Sequence, residues 1–303
     1  MKLYLHIGYN KTGTSSIQAF CNSHRKELSE HGIVYPESGV FSDAHYGISS
    51  ALTGNPPKQA MPESLDPLPR LVEELQSARP GGALISSEFF INARAPQVRK
   101  ISNYLSCTLQ PTAIKIIVYL RRHDLWFESL FNQAVKDMDS PTWQLDIDEF
   151  VLGALGHKRP EVRYLKVLDR WARYFGQENL IVRPFEAEQF LGGNLIKDFL
   201  SIFDRDVSFL ADNNLTHANE SVASGPLYLV GLLRRIASSE HRNRLIGEVL
   251  ANPQLEVPFA PKDFGHLTPA VRQSIVRFFE DEYAAIAKIY LNRPDGKLFR
   301  HRL

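Results

Sequence analysis

Four short apolar runs, "LYLHIG" (3–8), "ALISS" (83–87), "IKIIVYL" (114–120) and "NLIVRP" (179–184), do most to limit how this chain can fold. None alternates cleanly between apolar and polar residues, so each reads as a strand covered on both faces, as in parallel sheets. Helical spacing fills the intervals. "SSIQAFCNSHRKELSEHG" repeats apolar positions at Ile17, Phe20, Cys21 and Leu28 before a stop at Gly32, and "LVEELQSARPGG" ends in a Pro-Gly-Gly stop. "EVRYLKVLDRWARYFG" carries Tyr164, Leu168, Trp171 and Phe175 on one stripe and leads into the fourth run. The alternation predicts an α/β fold, a central parallel sheet flanked by helices.

Two regions break the rhythm. Residues 36–80 hold seven of the 18 prolines and little periodicity, which predicts an irregular excursion of the kind that often forms a lid. From about residue 204 the pattern turns mainly helical, and Thr268 before Pro269 marks a helix start. There is no internal repeat, and a chain of 303 residues can bury a sizeable core without staples, so a single domain over 1–303 is expected. No run approaches the roughly 20 apolar residues of a membrane helix, and the apolar part of "MKLYLHIGYNK" is too short for a signal peptide. A cytoplasmic location is the expectation.

Charge and cysteine usage exclude several classes. The formal net charge is +1, from 35 basic and 34 acidic side chains, so no nucleic acid or other extended polyanion is expected as a partner. Cys21 and Cys107 form no C-x-x-C, and the ten histidines show no metal-ligand spacing, which argues against a disulfide framework and a structural zinc.

Any anion must therefore be bound locally, and "LHIGYNKTGTSSIQAF" (5–20) offers the place. A strand, a turn with Gly8 and Gly13 and then a helix would present backbone N–H groups at the positive end of a helix dipole. Thr14, Ser15 and Ser16 add hydroxyl donors, and Lys11 adds a mobile point charge. The ATP-binding pattern G-x-x-x-x-G-K-[ST] is not matched, because Lys11 stands two residues before Gly13. No later strand ends in an acidic residue suited to magnesium. The turn suits a phosphate held without a metal.

The order Lys-x-Gly-Thr-Ser resembles the 5′-phosphosulfate loop of sulfotransferases that use 3′-phosphoadenosine 5′-phosphosulfate (PAPS). That resemblance implies donor binding by Lys11, Thr12, Gly13, Thr14, Ser15 and Ser16. In the same family a strand runs into an Arg followed eight residues later by a Ser, and both bind the 3′-phosphate; "IVYLRRHDLWFESLFNQ" offers Arg121 and Ser129. "ENLIVRPFEAEQFLGG" is similar to the family's late strand, which implies that Phe185 packs on the adenine. "NESVASGPLYLVGLLRRI" and "DGKLFRHRL" also resemble stretches of bacterial carbohydrate-type sulfotransferases. The implied fold is the P-loop-like sulfotransferase fold with a mainly helical C-terminal third.

Cytosolic members of that family place Lys-Thr-His after the second strand, where this chain has Ser86, Ser87 and Glu88 in "LISSEFF". Glu88 would replace the His as general base, with His45 in reserve, and Ser86 stands where some relatives have a second Lys. Residues 41–62 and 136–143 are expected to shape the acceptor pocket, where Phe41, Tyr46 and Trp143 could stack on a sugar. The implied activity is sulfuryl transfer from PAPS, with no metal, to a hydroxyl or amine acceptor, a carbohydrate or glycolipid. Two alternatives stay open: a metal-dependent nucleotide kinase and a non-catalytic nucleotide-binding module.

Overall fold

The computed structural model describes residues 1–55, 66–137, 146–156, 160–204, 207–211, 222–236 and 239–300. Five strands form one sheet: β1 (Lys2–His6), β2 (Ile33–Val34), β3 (Gly82–Ser86), β4 (Ala113–Leu120) and β5 (Leu180–Pro184). Their order is β2-β3-β1-β4-β5, and every pairing is parallel. The first helices are α1 (Thr14–Ser23), α2 (Arg25–Glu30), α3 (Tyr46–Thr53), α4 (Pro67–Ala78) and α5 (Ala95–Tyr104). Then come α6 (His123–Lys136), α7 (Ile147–Gly156), α8 (Tyr164–Phe175) and α9 (Leu195–Leu200). The last part is helical as expected, with α10 (Ser224–Arg234), α11 (Glu240–Ala251), α12 (Pro269–Phe278) and α13 (Glu280–Leu291). No helix among the described residues is long and apolar enough to cross a membrane.

The chain divides into two compact units, one of Met1–Arg121, Arg163–Thr216 and Glu282–Arg302, the other of Arg122–Val162 and His217–Asp281. The first holds the whole sheet. Tyr4, Leu84, Ile117 and Tyr119 face a core built with Ile17, Phe20 and Cys21 of α1 and Ile196, Phe199 and Leu200 of α9. On the opposite face α8 packs on β4 and β5, burying the stripe of Tyr164, Leu168, Trp171 and Phe175. Each such large side chain contributes roughly 1.5–3 kcal/mol by leaving water. Two-sided burial along β1, β3 and the second half of β4 is why those segments are mostly apolar, while β5 at the sheet edge alternates buried and half-buried residues. Beside β1 the chain reverses direction across the sheet, running to β3 on one side and to β4 on the other. Such a reversal opens a crevice at the carboxyl ends of the strands.

The second unit packs Trp126, Phe127 and Phe131 of α6 with Phe150, Phe264 and Phe279 in its interior. Arg122 grips Asp124 through Nε (2.7 Å) and Nη2 (2.9 Å), and Arg272 reaches Asp124 (2.6 Å) and Glu128 (2.5 Å). Burial resists ionisation of Asp124, but the two guanidinium groups outweigh it and hold the carboxyl below its ordinary range. Thr268 caps α12 as expected, accepting from the N–H of Val271.

Three features differ from the sequence reading. Strand β2 is only two residues long, too short for any periodicity. The helix expected through Gly32 breaks at His24, where the Ser23 hydroxyl donates to the carbonyls of Ala19 and Phe20 and competes with the helical pattern. The excursion over 36–80 is less irregular than expected, since it holds α3 and the whole of α4. Asp66 caps α4 and Pro67 sits in its first turn, where proline starts a helix rather than breaking it. Residues 56–62 and 138–143 of the expected acceptor pocket, Trp143 among them, lie outside the described residues.

Candidate functional site

The turn after β1 is shaped by three left-handed residues, Gly8 (φ +59°), Lys11 (+68°) and Gly13 (+74°). Thr12 is buried, and its hydroxyl closes the turn by donating to the carbonyl of Tyr9 at 2.7 Å. Gly13 is the N-cap of α1 and brings no capping oxygen, and the first turn of the helix holds no acidic residue. The N-terminal N–H groups of Thr14, Ser15 and Ser16 thus lie at the positive end of the dipole with no side chain from the cap to satisfy them. That is a fit for an anion. Of the three residues, Thr14 is buried, Ser16 half-buried and Ser15 exposed.

The glycines are required by what lies against them. A Cβ on Gly13 would stand 2.2 Å from Cδ2 of Leu195 and 3.0 Å from Cε2 of Phe185. A Cβ on Gly8 would stand 2.8 Å from Cγ2 of Thr14 and 3.1 Å from Cα of Glu88. Gly13→Ala should therefore lose at least about 1–2 kcal/mol from the left-handed backbone alone, with Leu195 displaced in addition. Thermal unfolding of the variant checks this; an unchanged midpoint would mean that α9 gives way freely.

At the end of β4, Arg121 turns back onto this loop. Its Nη1 donates to the carbonyl of Lys11 at 3.0 Å, and its guanidinium lies 5.6 Å from the centroid of the Phe185 ring. The Arg121 carbonyl accepts from the hydroxyl of Tyr164 at 2.7 Å, and the N–H of Phe185 donates to the carbonyl of Leu120 at 2.6 Å. Lys11, Gly13, Arg121 and Phe185, which lie on three separate stretches of sequence, are thus neighbours at the strand ends. Cations over aromatic faces gain electrostatically, which helps to fix the arginine. Ser129 lies on α6 in the second unit and is half-buried.

Glu88 follows β3 at the start of a one-turn 3-10 segment, Glu88–Asn92. Ser87, not Glu88, caps that segment, its Oγ accepting from the N–H of Phe89. The carboxylate is held from two sides: Oε1 accepts from the Tyr46 hydroxyl at 2.5 Å and Oε2 from Nε2 of Gln18 at 3.1 Å. Gln18 also donates to Oγ of Ser86 at 3.2 Å, and that oxygen bonds Nδ1 of His6 at 2.8 Å. Burial, then the charge of Glu88, pushes the Tyr46 phenol above its usual range. His6 is fully buried, which depresses its imidazole to about 3.

His45 is also fully buried. Its Nε2–H donates to the carbonyl of Pro36 at 3.0 Å, and its Nδ1 accepts from the N–H of Ser86 at 3.1 Å. Both ring nitrogens are engaged by backbone, and burial lowers its pKa to about 3. The ring is neutral, pins α3 to the end of β3 and has no lone pair left over. Phe41 sits in the same region and forms an isolated antiparallel bridge with Ala44.

The sequence reading overlooked Gln18 and the bond from Tyr46 to Glu88. A signal for Gln18 existed, since it stands beside Ile17 within the buried stripe of α1, an unusual place for an amide.

No known family's sequence profile matches the chain. An uncharacterized protein of Archaeoglobus fulgidus is 32% identical over 125 residues, 41% of this chain, and the match spans only 30% of that relative's length. Among solved structures, a sulfotransferase from Alicyclobacillus acidocaldarius is similar with a TM-score of 0.47 and 14% identity, covering 95% of each chain.

Proposed function

We propose that this protein is a sulfotransferase that moves a sulfuryl group from PAPS to a hydroxyl or amine acceptor, a carbohydrate or glycolipid, with the 303-residue chain acting as one catalytic domain. The observation that carries the proposal is the meeting of Lys11, Gly13, Arg121 and Phe185 at one set of strand ends. A nucleotide with phosphates at both ends needs two cationic positions and an aromatic face between or beside them. When bound, the donor supplies an activated sulfuryl group on a phosphate that leaves as 3′-phosphoadenosine 5′-phosphate.

The residues then divide the work. Backbone N–H groups at the start of α1, with the hydroxyls of Thr14, Ser15 and Ser16, hold the 5′-phosphosulfate, and Lys11 stabilises charge on the bridging oxygen as the S–O bond breaks. Arg121 takes the 3′-phosphate, with Ser129 assigned to it by its spacing of eight residues. Phe185 flanks the adenine. The acceptor oxygen attacks sulfur, and its proton passes to the Glu88 carboxylate. The bound geometry of Glu88 favours it over His45, whose ring nitrogens are both committed to backbone.

Ligand-dependent unfolding tests this directly. Without metal, 3′-phosphoadenosine 5′-phosphate at a hundredfold excess over its Kd should stabilise the protein by about 2.7 kcal/mol. Arg121→Ala should weaken that ligand by about 1.5–3 kcal/mol, the worth of charge-assisted hydrogen bonds, while adenosine 5′-phosphate binds nearly as before. Equal stabilisation by ATP, or a strict need for magnesium, would favour a nucleotide kinase instead.

A further inference from the structure

Five polar side chains run in a line behind the turn, and the proposed reaction uses just one of them. In order they are His6, Ser86, Gln18, Glu88 and Tyr46, linked by contacts of 2.8, 3.2, 3.1 and 2.5 Å. The first three are 2% exposed or less, in a region where apolar side chains would pack at lower cost. We propose that Gln18 and Tyr46 are positioning residues that lock the Glu88 carboxylate into the orientation from which it accepts the acceptor's proton. This rests on the sulfuryl-transfer reading and on Glu88 as the base.

The geometry leaves little freedom in the line. An ionised carboxylate only accepts, so the Gln18 amide must turn its NH₂ toward Glu88, and the same nitrogen reaches Ser86. Ser86 is anchored in turn through its Oγ to His6 and through its N–H to His45. Both imidazoles are neutral, so the formal charge in the chain of contacts is that of Glu88 alone. On the other side, the Tyr46 ring stacks on Phe89 with centroids 4.6 Å apart, which fixes the phenol before it meets the carboxylate. An ionised carboxylate has about four acceptor positions. Among the described residues, Tyr46 and Gln18 fill one on each oxygen, which leaves the others for the acceptor hydroxyl.

Restricting a flexible side chain to its reactive orientation acts on turnover rather than on donor binding. The test uses the full chain with PAPS as donor and water as acceptor, following release of 3′-phosphoadenosine 5′-phosphate. Tyr46→Phe keeps the ring and its stack and removes only the hydroxyl; Gln18→Met keeps the length and removes both donors. Each should lower kcat roughly 10- to 100-fold, the cost of misplacing a reacting group by about an ångström, with bisphosphate affinity unchanged within about twofold. In a Glu88→Gln background the same changes should cost almost nothing further, because groups acting as a unit are not additive.

Losses that multiply in the double variants, or that appear in nucleotide affinity, would show a general packing role and overturn the proposal. Wild-type kcat in both single variants, with Glu88→Gln impaired, would overturn it while leaving the base assignment standing. Normal turnover by Glu88→Gln would remove the base assignment and this proposal together, and a wild type that neither turns over the donor nor is stabilised by 3′-phosphoadenosine 5′-phosphate would remove the sulfuryl-transfer reading itself.

Discussion

Glu88→Gln should lower sulfuryl transfer roughly 10²- to 10⁴-fold, the usual contribution of a positioned general base, while the bisphosphate still stabilises the folded protein. The amide keeps the shape of the side chain and can still accept from Tyr46, so the loss is one of basicity and not of packing. Its NH₂ would face the Gln18 NH₂ or force a flip, which costs stability locally and leaves the donor turn untouched. The informative partner experiment is His45→Ala. Removing that ring strands the N–H of Ser86 and the carbonyl of Pro36, and each buried group left without a partner costs about 1–3 kcal/mol. Its signature is therefore a lower thermal midpoint, with turnover per folded molecule close to the Glu88-containing parent. A dead His45 variant that unfolds normally, beside an active Glu88→Gln, would move the base to the excursion.

Mild acid should unfold the protein steeply, and two histidines set the slope. His6 and His45 are both fully buried and depressed from 6.5 to about 3 by desolvation. Above pH 6.5 neither binds a proton in either state, and stability is at its full value. As pH falls through 6.5 the unfolded chain takes up both protons and the folded one does not, so stability declines until about pH 3. The decline is about 1.4 kcal/mol per pH unit for each histidine, or about 2.7 for both. Against a typical domain stability of roughly 5–15 kcal/mol, this exhausts much of the margin within two to three pH units. Asp124 acts in a lower window, since its carboxyl is held below 3.8 and its stabilisation is lost only beneath that. Equilibrium unfolding measured from pH 7 down to 4 should show the slope, and His6→Gln should halve it. A flat profile over that range would mean that neither ring is sealed from water.

Much of the architecture was legible because it is written in short-range pattern. The runs at β1 and β3 and the second half of β4 are buried on both sides, which favours a mostly apolar string, and β5 at the sheet edge keeps the apolar Leu180, Ile181 and Val182 although its burial alternates. The stripe of α8 is equally plain. Strand β2 escaped because two residues carry no period, and the break at His24 escaped because it depends on where the Ser23 hydroxyl points. The turn with Lys11 and Gly13 announced itself through residue types that suit an anion. That Arg121 would rest on the carbonyl of Lys11, 110 residues away, could not be read from either segment, because long-range docking is decided by the sheet order. The same holds for Gln18, whose partner Glu88 is brought to it by the parallel register of β1 and β3.

The close pass of Gly8 against Glu88 has a consequence for how such a chain can change its substrate. With no side chain at Gly8, the turn bearing Lys11 packs close against the segment bearing the proposed base, so close that a Cβ at Gly8 would lie 3.1 Å from Cα of Glu88. Their separation is a ruler made of backbone, so it does not depend on whichever side chains line the acceptor's path. Under the proposed reaction, residues of the proline-rich excursion could then vary in size and polarity, and with them the acceptor admitted, while the reach from the donor's sulfur to Glu88 would be carried over unaltered.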